Sequence, residues 1–209
     1  MRLERNVILE LERCPQCGVA NPLITKQNCD VLLSADVNIL WYTILGQCSQ
    51  CRKCTLFEGY TARSKLNSAG QVTSLEIFRC FPEAKRASDD IPVRARNYLQ
   101  QALDSRHAPD GAIMLAASAI DWMLKEKGYK DGSLYSRIEK ASQDGLFTSE
   151  MRDWAHEIRL SANDPRHADE DYFGSTIEQV DQIIQFAESL GEYLFVLPAR
   201  IRKWKGQAK

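Results

Sequence analysis

The chain has no cysteine after Cys80, so residues 81–209 contain none of its seven. Neither a disulfide nor a thiolate metal site is available there. Histidine is also scarce, with only His107, His156 and His167, and no two of them have a metal-ligand spacing. Long apolar runs are missing. No segment approaches the roughly twenty apolar residues of a membrane span, and Met1 to Arg13 alternates charged and apolar residues without the apolar core of a secretory signal. An excess of one charge is missing too. The 27 Lys and Arg against 28 Asp and Glu give a net charge of −1, so no global field draws in a nucleic-acid backbone. We expect a soluble, cytoplasmic protein without a membrane partner, one that would meet any nucleic acid through a local patch.

What is present is an ordinary globular composition, 44% hydrophobic and 26% charged, with every cysteine crowded towards the N-terminus. In a reducing compartment such crowding argues for metal rather than disulfide. Cys14-Pro15-Gln16-Cys17-Gly18 reads as a metal knuckle, two thiolates on a tight turn with Gly18 free to take positive φ. The second half of the ligand set lies in Cys48-Ser49-Gln50-Cys51-Arg52-Lys53-Cys54, where two overlapping pairs share Cys51. Ile39 to Leu45 reads as a strand delivering Cys48, and Thr55 to Phe57 as the start of the return strand. That favours Cys48 with Cys51 and leaves Cys54 on the strand as a small hydrophobe. Cys51 with Cys54 stays open, and Cys29 and Cys80 have no assignment. We therefore expect a zinc ribbon over residues 1–80, holding a structural Zn2+ through Cys14, Cys17, Cys48 and Cys51. So small a unit has little apolar surface to fold on, and four thiolates leave no open coordination position for a substrate.

Residues 81–92 carry two prolines and a charge cluster, which suits a linker ending in a helix start, with Asp89 or Asp90 as cap and Pro92 in the first turn. From 93 to 209 the period is helical. One helix ends near His107. A second, capped by Asp110, carries the broad apolar stripe of Ile113, Ala116, Ile120, Met123 and Leu124. A third stops at Gly145, and a fourth follows Thr148 through Trp154 and Ile158. Ser175 with Glu178 forms a capping box ahead of a long terminal helix that Pro198 interrupts and that ends in basic residues. The fold class is α+β, a small β zinc ribbon followed by an all-helical bundle.

For chemistry, His107 in a turn and His156 between Arg152 and Arg159 read as surface residues. The segment from Arg159 to His167 is different, because it sets Arg159, Asn163 and His167 four residues apart. With Tyr98 to Ala102 and the apolar helix from Ala112 to Leu124, this segment resembles the group known as domain of unknown function 4145. That group looks like a branch of the HEPN superfamily, helical bundles that include metal-independent RNA-cleaving toxins and antiviral defence proteins. Its members are often headed by a zinc ribbon. The resemblance implies a homodimer in which Arg159 holds a scissile phosphate, His167 moves a proton and Asn163 orients one of them. Seven residues separate Arg159 from His167, more than active members place there. Arg159 and Asn163 equally suit a structural role at the helix end, with His167 as a hydrogen-bonding anchor. The expectation drawn is a nucleic-acid-associated binding or scaffold module of a defence or DNA/RNA-processing system, with RNA or a protein as partner. An endoribonuclease using Arg159 and His167 is the alternative.

Overall fold

The computed structural model describes residues 1–4, 6–32, 38–68, 72, 74–161 and 174–207. The chain divides into two compact units, Met1–Lys85 and Arg86–Lys209, each with its own core.

The first unit is a closed antiparallel barrel of six strands among the described residues: β1 (Arg2–Glu4), β2 (Val7–Leu9), β3 (Ile24–Leu32), β4 (Ile39–Cys48), β5 (Cys54–Ala62) and β6 (Ser74–Phe81). This corrects the ribbon expectation. The charged and apolar alternation of the N-terminus is strand periodicity: Leu3 and Ile8 point inward and pair across β1 and β2. β1 also pairs with β6, Arg2 opposite Glu76, which closes the sheet and leaves no open edge. Strand β5 alternates strictly, with Thr55, Phe57, Gly59 and Thr61 buried. Ile8, Ile24, Ile44, Phe57 and Leu75 are sealed inside. Gly46 makes that packing possible, since a Cβ there would stand 2.6 Å from Ile24 and 2.9 Å from Phe57.

A bulge interrupts β6. Glu58 pairs with Arg79 and Gly59 with Ile77, so Phe78 is the extra residue. Gly59 accommodates it, because a Cβ there would lie 2.7 Å from the Glu76 carbonyl oxygen. The bulge turns Phe78 outward, half-exposed, against Trp41 on β4 at 5.5 Å and Tyr60 on β5 at 6.3 Å between ring centroids.

The second unit is, among the described residues, a five-helix region: α1 (Val93–Asp104), α2 (Pro109–Glu126), α3 (Leu134–Gln143), α4 (Ser149–Ser161) and α5 (Ile177–Gly191), the last running on through a π-helical turn, Glu192–Val196, into Leu197–Gln207. Helix α2 is central, with Ala112, Ile113, Ala116, Ile120, Met123 and Leu124 buried. Pro198 does not break the terminal helix as the sequence suggested. The π turn just before it absorbs the missing N–H, and the rod continues.

Three caps differ from expectation. Pro92 itself is the N-cap of α1 without a side-chain bond, because Ile91 is drawn into the core and Asp89 instead accepts from Arg96. Pro109 opens α2, and Asp110, already inside the helix, accepts the Ser175 backbone N–H at 2.9 Å. With Ser175 so held, the capping box falls one residue later. Gln179 N donates to Thr176 Oγ1 at 3.2 Å, and Thr176 N donates to Gln179 Oε1 at 2.8 Å.

Candidate functional site

The four-cysteine cluster is built from two turns with matching backbone hydrogen bonds. In the first, Gly18 N donates to Cys14 O and Cys14 N to Val19 O, both at 2.9 Å. In the second, Arg52 N donates to Cys48 O at 3.0 Å and Cys48 N to Lys53 O at 3.1 Å. The residue after each second cysteine is left-handed, Gly18 at φ 76° and Arg52 at φ 60°. Glycine takes that conformation freely, whereas arginine holds it at a cost. No glycine marks the second turn in the sequence, where Cys48 with Cys51 was favoured and Cys51 with Cys54 stayed open. Gln16 ties the two turns together, its Nε2 donating to Cys54 O at 2.7 Å.

The sulfur atoms of Cys14, Cys17, Cys48 and Cys51 all lie within 4.8 Å of one another, the first three buried and Cys51 half-buried. The corners of a tetrahedral zinc–thiolate site stand about 3.8 Å apart for Zn–S bonds of about 2.3 Å, so modest closure brings the four sulfurs onto an ion. Cys54, the competing ligand, is exposed at the start of β5 rather than packed as a small hydrophobe, and it is not among the four. Cys80 is buried in the barrel and Cys29 is half-buried.

Electrostatics point the same way. Burial pushes the Cys14 and Cys17 thiols up, and repulsion from neighbouring thiols adds to it. Burial also acts to raise Cys48, but the backbone N–H groups of Cys51 and Gln50, with the Cys14 and Cys51 thiols, bring it below the ordinary thiol value. A buried group of thiolates is unfavourable without a cation, and a soft divalent ion such as zinc answers both the charge and the donor set.

In the helical unit, Arg159 lies in the last turn of α4. Asn163 and His167 lie outside the described residues. His107 is exposed. His156 is not the surface residue the sequence suggested: it is half-buried, its Nε2 2.7 Å from Glu139 Oε1, because α3 packs against that side of α4.

Against known families, residues 97–206 match the model of the Domain of unknown function (DUF4145). The chain belongs to the DUF4145 family. No curated protein and no solved structure gives a significant match. The DUF4145 match begins within α1 and runs into the last helical segment, so it covers the helical unit and leaves the barrel and its cysteine cluster as a separate addition. Among the described residues no helix is long and apolar enough to cross a membrane.

Proposed function

We propose that this DUF4145 protein is a zinc-stabilised module that binds single-stranded nucleic acid on the outer face of its barrel, followed along the chain by a helical domain of the HEPN kind. The observation carrying this reading is the Trp41, Tyr60 and Phe78 cluster. Trp41 and Tyr60 pair across β4 and β5 with ring centroids 5.4 Å apart, and Trp41 and Phe78 are 37% and 50% exposed. A core would hide such rings. A glycine-dependent bulge instead turns Phe78 outward, and exposed rings on a small barrel suit stacking of unpaired bases. Arg79 lies over the Phe81 ring at 4.5 Å on the same strand and extends the surface.

With a net charge of −1, stacking rather than counterion release should dominate, so affinity should fall only shallowly with salt. Anisotropy of labelled single-stranded RNA and DNA against a duplex control tests the reading. Trp41→Ala and Phe78→Ala should each weaken binding roughly 5- to 100-fold, the range of one lost base–ring stack. Wild-type protein that ignores both single strands at tens of micromolar defeats the proposal.

The homodimer is proposed on a separate surface, the terminal helix. Tyr193, Leu197, Ile201 and Trp204 form one stripe along it, 47%, 41%, 45% and 68% exposed. Residues 175–192 carry only acidic charges, Glu178, Asp181, Glu188 and Glu192, whereas 197–209 carry only basic ones. Antiparallel pairing of two such helices would cover the stripe and set unlike charges together. Light scattering should give a dimer mass at about 10 µM, well above the micromolar dissociation constant of a modest interface. Ile201→Glu should give a monomer, and a monomeric wild type would contradict the pairing.

A further inference from the structure

The rings on the barrel face stand beside a row of polar side chains that stacking alone does not use. Trp41 and Tyr60 are opposite one another across β4 and β5. Two residues along the same strands, about 7 Å away, Thr43 is opposite Glu58, and Glu58 is opposite Arg79 on β6. Side chains alternate along a strand, so Glu58 and Tyr60 share the outer face of β5 while Phe57 and Gly59 are buried on the inner one. A base lying on Trp41, Tyr60 and Phe78 therefore has Glu58 within reach of its edge.

The carboxylates on this surface are not equally engaged. Glu76 Oε2 accepts the Tyr60 hydroxyl at 2.9 Å and its Oε1 is 3.6 Å from Lys65 Nζ, so Glu76 is occupied in fixing the Tyr60 ring. Asp30, opposite Thr43 on β3, accepts from Asn28 Nδ2 at 2.8 Å. Glu58 is held loosely. Its ion pair with Arg79 is stretched to 4.0 Å, while the Arg79 guanidinium lies over the Phe81 ring at 4.5 Å. The Glu58 side chain is 31% exposed, so an incoming donor can reach it without a rearrangement of the sheet.

A carboxylate only accepts hydrogen bonds. Beside a stacked base it favours an edge that presents N–H donors and repels one that presents carbonyl oxygens. Guanine sets N1–H and its N2 amino group side by side, matching the two oxygens of a carboxylate. Adenine and cytosine set one amino group beside a bare ring nitrogen, and uracil and thymine flank a single N–H with two carbonyls. Resting on the stacking reading above, we infer that Glu58 makes the barrel face selective for single strands that place guanine on Trp41, Tyr60 and Phe78. Stacking holds any base there, and the charge-assisted hydrogen bonds to Glu58 distinguish one from another. Glu76 is a positioning residue that orients the Tyr60 ring.

Anisotropy with the full zinc-loaded chain and labelled RNA hexamers tests the assignment, comparing hexauridine with the same strand carrying one guanosine, inosine or adenosine. A single guanosine avoids the four-stranded assemblies of guanine runs. The guanosine strand should bind roughly 10-fold tighter than hexauridine, the low end for hydrogen bonds to a charged group because Glu58 is partly exposed. Inosine, which lacks the N2 amino group, should lose most of that gain, and adenosine should fall below guanosine. Glu58→Gln should bring the guanosine strand and hexauridine to within about 2-fold of each other without weakening hexauridine, a change of ratio that a purely structural role would not produce. Glu76→Gln removes the same charge and should leave the ratio standing. Equal wild-type affinity for the guanosine strand and hexauridine, with Trp41→Ala weakening both, would overturn the role of Glu58 and leave the stacking reading intact. An unchanged ratio in folded Glu58→Gln would overturn it as well, whereas no binding of any hexamer at tens of micromolar would remove the stacking reading and this inference together.

Discussion

Removing the metal from the cysteine cluster, or replacing Cys48 with serine, is expected to unfold the barrel while the helices stay folded. The barrel interior rests on few large side chains, among them Leu3, Ile8, Ile24, Ile44, Phe57, Leu75 and Ile77. The cluster pins the loop after β2 to the turn between β4 and β5. Structural zinc contributes on the order of 10 kcal/mol of folding free energy in small domains, as large as the whole stability of a typical domain. Circular dichroism during chelator titration should therefore show loss of sheet signal with helical signal retained, because residues 86–209 carry no cysteine and have their own core. Cys54→Ser is the control. Exposed and outside the cluster, it should leave about one zinc per chain, as a four-thiolate site requires. Metal loss in Cys54→Ser, or an intact barrel in metal-free protein, would contradict this account of the centre.

How much of this was legible beforehand depended on whether the signal was local. Cys14 to Gly18 announces its turn because glycine stands at the left-handed position. The second turn puts Arg52 there, so the strand placement favoured Cys48 with Cys51 but left Cys51 with Cys54 open until the matching hydrogen bonds and the clustered sulfurs were seen. Strands β4 and β5 were visible in the apolar run from Ile39 to Leu45 and the return at Thr55 to Phe57, whereas β1 and β2 are three residues each and gain their stability from non-local pairing with β6 and β3. No local pattern encodes that closure, so a ribbon was expected where a barrel stands. The apolar periods of the helices came through, as did the Thr148 cap of α4, whose Oγ1 accepts from Met151 N, but the caps of α1, α2 and α5 did not. Asp110, Ser175 and Thr176 all have capping side chains, and a contact across 65 residues between Asp110 and Ser175 decides which of them serves. The setting of His156 between α3 and α4 was hidden for the same reason. His156 beside two arginines reads as solvated until Glu139 and Tyr135 arrive from another helix.

Phe186→Ala is expected to have the largest effect on the helical unit, lowering its stability by about 3–5 kcal/mol. Phe186 is 1% exposed on α5 and meets Trp154 of α4 edge-on, with ring centroids 4.8 Å apart. Few other side chains hold α4 in place: Ala155 and Ile158 are its buried residues, one small and one of moderate size. Truncating Phe186 removes the ring that Trp154 packs on and leaves a cavity in the core beside α4. The helical melting transition should drop by on the order of 10 °C or more. Phe186→Leu should recover most of the loss by refilling the volume. A melting transition within about 2 °C of wild type would mean less than about 1 kcal/mol was lost, and the positioning of α4 would then have to be sought elsewhere.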